Sequence, residues 1–217
     1  ENNFSDLCNT KFAIGVANGT DALILIMKAL GIGEGDQVIT APNSWISTAS
    51  SIAHVQARPV FVDVREDQNI DPSQIKRAIT SKTKAILPVH LTGRCADMDP
   101  ISKIAEEYEL FIIEDASQSV KARYKGKMSG SMGICGSFSL HPLKNLNAAG
   151  DAGVITTNNA ELAEKLYLLR NHGLRSRNEV LLWGYNSRLD ELQASILNCR
   201  LNKISGITEK RQRFAKL

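Results

Sequence analysis

Phe111-Ile112-Ile113-Glu114-Asp115 is an apolar run that ends in carboxylates. It does not alternate polar and apolar residues, and it is too short for a buried helix. Such a run reads as a strand covered by helices on both faces, the kind found in parallel sheets. Similar strand candidates lie outward from it on both sides, at 12–17, 37–40, 59–64, 85–89, 110–114, 136–140 and 153–157. Helical stretches fall between and after them, at 21–30, 44–54, 72–79, 100–108, 160–171 and 189–201. Asp71-Pro72 reads as an N-cap followed by a first-turn proline, and Gly31 after Leu30 as a helix stop. The alternation predicts an α/β fold: an open, mostly parallel sheet with helices on both faces.

The 217 residues suffice for one sizeable core with room for a small second unit. The composition is that of an ordinary globular chain, 43% hydrophobic and 23% charged. A formal net charge of +3 gives no argument for nucleic acid or a membrane surface. The basic residues near the end (Lys203, Lys210, Arg211, Arg213, Lys216) read as a solvated helix face. Cys8, Cys95, Cys135 and Cys199 are scattered, with no CxxC pair, so neither a zinc site nor a disulfide framework is supported. That usage fits a reducing cytoplasm. No signal peptide and no membrane-length apolar run is evident.

In a sheet of this type ligands bind outside the carboxyl ends of the strands, where loops meet helix N-termini. Four segments fall there. Asn18-Gly19-Thr20-Asp21 is a strand-to-helix turn whose free amides and hydroxyl suit a phosphate, though it matches neither a Walker A loop nor GxGxxG. Trp45, in PNSWIST, offers an indole that can stack on an aromatic ring. Asp115 closes its buried strand, where an isolated carboxylate is costly unless a cation meets it, and Gln118 follows three residues on. Lys144, in SFSLHPLKN, follows Ser137, Ser139 and Pro142 in a tight, hydroxyl-lined turn. Taken singly, each has a bland alternative: a polar cap, a core tryptophan, a loop aspartate, a surface lysine. Taken together, a lysine able to form a Schiff base and a carboxylate able to hold a proton on a ring nitrogen suggest a pyridoxal-phosphate site.

The chain resembles the DegT/DnrJ/EryC1/StrS family of pyridoxal-phosphate-dependent sugar aminotransferases. The matching segments run in order through NGTDAL (18–23), DQVITAPNSWIST (36–48), PVFVDV (59–64), KTKAILPVHLTGRCADMDPI (82–101), IIEDASQS (112–119), FSLHPLKNL (138–146), GDAGVITTN (150–158), LRNHG (169–173) and GYNSRLDELQASIL (184–197). The resemblance implies an aspartate-aminotransferase-like large domain over 1–217, with the family's lead-in segment and smaller C-terminal domain cut short. It implies that Lys144 carries the cofactor as a Schiff base and that Asp115 partners the ring nitrogen. Gln118 would lie near the ring oxygen and Trp45 would stack on the ring. Gly19, Thr20 and Ser139 would contact the phosphate. Asn186 would reach the phosphate of a neighbouring subunit, which implies a homodimer with shared sites. Two positions depart from the family pattern: Ala152 replaces a glycine, and His141 stands where tyrosine is common.

The implied activity is transfer of an amino group from glutamate to a nucleotide-linked keto-sugar. Two alternatives stay open on sequence alone. One is a sugar dehydratase on the same cofactor, in which histidine replaces the lysine. The other is an inactive, truncated dimerisation domain. The apolar residues Leu189, Leu192 and Ile196 recur at helical spacing and suit either the chain's own core or a two-fold interface.

Overall fold

The structure, a computed structural model, describes residues 1–216. Helix α1 (Asn2–Cys8) precedes strand β1 (Phe12–Val16), helix α2 (Gly19–Ala29), β2 (Gln37–Thr40), α3 (Ile46–His54) and β3 (Arg58–Phe61). Then come α4 (Pro72–Ala78), β4 (Thr83–Ile86), α5 (Met98–Glu107) and β5 (Phe111–Asp115). A small hairpin, β6 (Arg123–Tyr124) and β7 (Lys127–Met128), leads to β8 (Cys135–Ser139) and β9 (Gly153–Thr157). Helix α6 (Ala160–Arg170), a second hairpin of β10 (Leu174–Ser176) and β11 (Glu179–Val180), α7 (Glu191–Leu201) and α8 (Ile204–Phe214) complete the chain.

Seven strands form one sheet in the order β1-β9-β8-β5-β4-β2-β3. The pairs from β8 across to β3 are parallel, as the sequence predicts. Strand β9 is the exception and runs antiparallel to both β1 and β8. Its direction follows from its connection. The chain leaves β8 into a loop, residues 140–152, that stays at that strand's carboxyl end instead of crossing back, so β9 enters the sheet from the same end and runs the opposite way. That loop is the one that carries Lys144.

Period-two alternation along each strand sorts side chains onto two covered faces. Ile14, Val16, Ile113, Cys135 and Ile155 pack with residues of α2, α3 and α6. On the other face, Ala13, Phe138 and Val154 meet Phe4, Leu197 and Ile204, from α1, α7 and α8. Alongside them Ile39, Ile86 and Ile112 meet Ile75, Ile101 and Ile104, from α4 and α5. This double coverage is why the strands read as continuous apolar runs. Asp71 accepts from the Ser73 amide as the N-cap of α4, and Gly31 stops α2 with φ +74°. The expected strands and helices are present, with ends displaced by a few residues. Helix α1 and the two short hairpins lie outside the sequence reading, and α8 is legible there only as a basic helix face. The basic residues of α8 are exposed, as a solvated face should be. No helix among the described residues is long and apolar enough to cross a membrane.

The same alternation separates the carboxylates of β5. Glu114 shares its face with Ile112, and Asp115 shares the opposite face with Ile113. Glu114 and His90 are both fully buried. The Glu114 carboxylate accepts from Gly130 N (2.7 Å), Met132 N (2.6 Å) and Gly133 N (2.6 Å), and it bonds His90 Nε2 at 2.8 Å. His90 Nδ1 accepts from the Ala96 amide at 3.2 Å, so the ring proton sits on Nε2 and points at Glu114. A buried carboxylate is tolerable here because four donors converge on it. Glu114→Ala leaves those donors unpaired inside the protein, and breaking such a buried network costs about 3–5 kcal/mol. Urea unfolding of Glu114→Ala should show an unfolding free energy lowered by that amount, seen as a lower midpoint with the slope unchanged. A loss below about 1 kcal/mol, the range of an ordinary surface substitution, would contradict this reading.

Candidate active site

The carboxyl ends of β1, β2, β5 and β8 lie along one edge of the sheet, and β9 begins at that edge, with Gly153 opposite Ser139. Asn18 caps α2 by accepting from Asp21 N at 2.8 Å, which sets the helix start directly after β1. The helix start then presses on β8. A Cβ added at Gly19 would lie 2.7 Å from Ser139 Cβ and 3.1 Å from Ser139 Cα. A Cβ at Gly153 would lie 2.4 Å from the Asn18 carbonyl oxygen. Only glycine permits this approach, and the result places Ser139 against the free amides of the first turn of α2.

Thr20, in that turn, donates its hydroxyl to Ser47 Oγ at 2.9 Å, tying α2 to the start of α3. Trp45 is the residue before α3 and is 71% exposed. An indole so open to solvent has no core role. Ser44 and Thr48 share a hydroxyl hydrogen bond of 2.8 Å on either side of it. Thr48 also reaches Asp115 Oδ2 at 2.8 Å.

Asp115 is only 4% exposed. Its Oδ1 accepts from Ser117 N at 3.2 Å. Its backbone is fixed as well, with its amide donating to Pro88 O (2.9 Å) and its carbonyl accepting from His90 N (3.0 Å). Gln118 turns its Oε1 to the Thr92 amide at 2.8 Å and so braces the loop after β4. Thr92 holds a left-handed backbone, φ +53°, which that bond helps to keep.

Lys144 lies half-buried in the β8–β9 loop, its amide donating to His141 O at 2.8 Å. Burial pushes its amine below the usual lysine range, and the negative charge of Asp115 pulls the other way. The Asp115 charge thus reaches Lys144, 29 positions away in the chain, across the β5 and β8 ends. Beside Lys144, Asn145 donates to Val120 O at 3.0 Å, while its buried Oδ1 meets no donor among the described residues. His141 is exposed and accepts from the Leu143 amide through Nδ1 at 3.3 Å.

Gly19, Thr20, Trp45, Asp115, Gln118, Ser139 and Lys144 thus all stand at one sheet edge, on strand ends, a helix start and the connecting loops. Asn186 comes from a later segment that reaches the same end of β1. It is exposed, on the loop after β11, in an isolated bridge with Asn171. Its neighbour Ser187 accepts from Ala17 N at 3.3 Å, so this loop passes the end of edge strand β1. Sequence reasoning missed Thr48, which holds Asp115, and the Glu114–His90 pair behind it. Both lay within the quoted segments, and the cluster of hydroxyl residues in PNSWIST was the available signal.

The donor set fits a phosphorylated aldehyde with a basic ring nitrogen. A helix start supplies amides for a phosphate, a partly desolvated amine can attack an aldehyde, and a fixed carboxylate can meet a cationic ring atom.

The DegT/DnrJ/EryC1/StrS aminotransferase family model matches residues 1–217. The chain is 48% identical, over 99% of its length and 60% of the relative's, to a dTDP-3-amino-3,6-dideoxy-alpha-D-galactopyranose transaminase of Aneurinibacillus thermoaerophilus. It is 47% identical, over 94% of its length and 55% of the relative's, to a pleiotropic regulatory protein of Geobacillus stearothermophilus. Among solved structures it superposes, with a TM-score of 0.87 and 37% identity, on NtdA from Bacillus subtilis with bound cofactor PMP, covering 93% of this chain and 46% of that one. The chain therefore spans no more than about three-fifths of the proteins it matches. On a full-length family match, this level of identity and a shared α/β architecture, the chain belongs to the DegT/DnrJ/EryC1/StrS aminotransferase family.

Proposed function

We propose that this chain is the cofactor-binding large domain of a pyridoxal-phosphate-dependent aminotransferase that moves an amino group from glutamate to a nucleotide-linked keto-sugar. The observation that carries this reading is the placement of the half-buried Lys144, on the loop that follows β8, and the buried, hydrogen-bonded Asp115 carboxylate, at the end of the adjacent β5, on one edge of the sheet. The PMP in a relative's structure, the aminated form of the same cofactor, and the sugar transaminase among its relatives support it. Bound pyridoxal phosphate supplies a carbon that accepts an amine and a ring that withdraws electrons from the reacting carbon.

The residues divide the remaining work. Lys144 Nζ, pushed below the usual lysine range, is available as a free amine nearer neutral pH than an exposed lysine. It serves as nucleophile and then moves a proton on and off the reacting carbon. Asp115, held by Thr48 and Ser117, keeps the ring nitrogen protonated. Gly19, Thr20 and Ser139 bind the phosphate, Trp45 stacks on the ring, and Gln118 faces the ring oxygen. Retention of Lys144 argues against a dehydratase, and His141, three residues earlier and engaged with Leu143 N, does not replace it.

The working unit in this reading is a homodimer in which Asn186 completes the phosphate site of the partner. Exposed apolar residues support an interface here. Trp183 is 97% exposed, and Val180, Leu181, Tyr185 and Leu192 are exposed around it in sequence. Of the helical stripe read from sequence, Leu189 packs against the chain's own core while Leu192 faces out. The substrate-closing parts, a lead-in segment and a smaller C-terminal domain, belong to the longer protein. The four free cysteines favour the cytoplasm as its compartment.

Two measurements test the reading. Borohydride reduction of the cofactor-loaded chain should leave a phosphopyridoxyl group on the peptide containing Lys144, and Lys144→Ala should lose the visible absorbance. A label on a different lysine would overturn the assignment. For assembly, sedimentation equilibrium should give twice the 23.8 kDa chain mass, with Trp183→Glu shifting the protein toward monomer. A wild-type monomer under all loading conditions would remove the shared-site proposal while leaving the Lys144 assignment intact.

A further inference from the structure

Lys144 sits in residues 140–152, too long a connection to be held by the β8–β9 ladder alone. Two backbone bonds close its neck: Leu140 N to Ala152 O and Ala148 N to Leu140 O, both 2.8 Å. Beyond the neck, the residues flanking Lys144 are gathered by side chains. Asn147 Nδ2 donates to Pro142 O at 2.6 Å, joining the segment just before Lys144 to the segment just after it. Asn147 is in turn held from outside the loop. Arg200, in the last turn of α7, donates through Nη1 to Asn147 O (2.7 Å), Asn147 Oδ1 (2.7 Å) and Ala148 O (3.3 Å). About two turns earlier on α7, Gln193 Oε1 accepts from Ala149 N at 2.8 Å. None of the atoms accepting from Arg200 carries a formal charge. The guanidinium is spent on loop geometry rather than on an ion pair.

We propose that Arg200 is a positioning residue for Lys144: by orienting Asn147, it holds the β8–β9 loop closed and keeps the lysine amine half-buried at the mouth of the site. The chain of contact is continuous, from Arg200 to Asn147, from Asn147 to Pro142, and across the turn to Lys144. Without Arg200, Asn147 loses the partner that fixes its rotamer, and its bond to Pro142 has to compete with water. The outer part of the loop around Lys144 then loosens, because Leu143 at its tip is solvent-facing, whereas Leu146 and Ala148 keep the inner part anchored in the core. The role also couples the lysine to α7, the helix that follows the Asn186 loop. The inference rests on Lys144 being the reactive amine, but its test needs no cofactor.

The test is competitive acetylation of the cofactor-free chain across pH, with Lys144 and the exposed Lys11 quantified by mass spectrometry in the same sample. The ionisable groups beside Lys144 are Asp115 at the end of β5 and His141 on its own loop, and neither is altered in the variants. In the wild type, the Lys144 midpoint should lie below that of Lys11. In Arg200→Ala the midpoint should rise toward that of Lys11, because water reaches the amine and stabilises its charged form. Arg200→Lys, which keeps one donor for Asn147, should restore part of the difference. Asn147→Ser leaves the Arg200 bonds to two carbonyls but cuts the link to Pro142, and it should raise the midpoint as well. It supplies the answer if Arg200→Ala does not fold. An unchanged Lys144 midpoint in folded Arg200→Ala or Asn147→Ser, whatever the change in melting temperature, would overturn the proposal.

Discussion

The buried Glu114 carboxylate is the constraint on which the rest of this site depends. It ties its own strand β5 to two other segments through their donors, the His90 ring after β4 and the amides of Gly130, Met132 and Gly133 before β8. An ionised group in a protein interior is stable only when its hydrogen bonds are complete, so the three segments have little freedom to move independently. Asp115, the next residue, inherits that rigidity. Its backbone is pinned to Pro88 and His90, and strand alternation turns its side chain to the opposite face, toward Thr48. One carboxylate secures the scaffold, and the adjacent one is the group the proposed function uses for chemistry.

The antiparallel strand β9 solves a second problem. A parallel sheet returns its chain through a helix, which would carry the residue after β8 away from the ligand edge. Reversing direction at β9 keeps residues 140–152 at that edge and places Lys144 in the same site as Asp115. The reversal is crowded, because β9 starts where α2 starts. Gly19 and Gly153 accept that crowding, and the contact brings Ser139 to the first turn of α2. Two glycines thus join the lysine loop to a helix N-terminus, the feature best suited to an anion.

The sheet was legible in the sequence because double coverage by helices leaves continuous apolar runs, and because Asp71 and Gly31 mark helix ends through local backbone chemistry. The direction of β9 was not legible, since a strand's own residues do not encode the direction of its neighbours. Lys144 and Asp115 stood out through their places after strands, and the family resemblance assigned them roles. Their supports did not stand out. Thr48, His90 and Arg200 act through contacts 67, 24 and 53 positions away in the chain, separations at which no periodicity gives a signal. Asn186 was assigned by resemblance alone, and within one chain it is an exposed loop residue, which is where a contribution to a second subunit would have to lie.

The central claim is that Lys144 and Asp115 form one electrostatic unit before any cofactor binds. Reductive methylation with a ¹³C label makes each lysine visible by NMR, and Lys144→Ala identifies the Lys144 resonance. In the wild type that resonance should titrate below the usual lysine range, because burial disfavours the charged amine. In Asp115→Asn it should titrate lower still, because the negative charge that partly offsets burial is gone. An ordinary lysine midpoint, identical in both proteins, would contradict the claim.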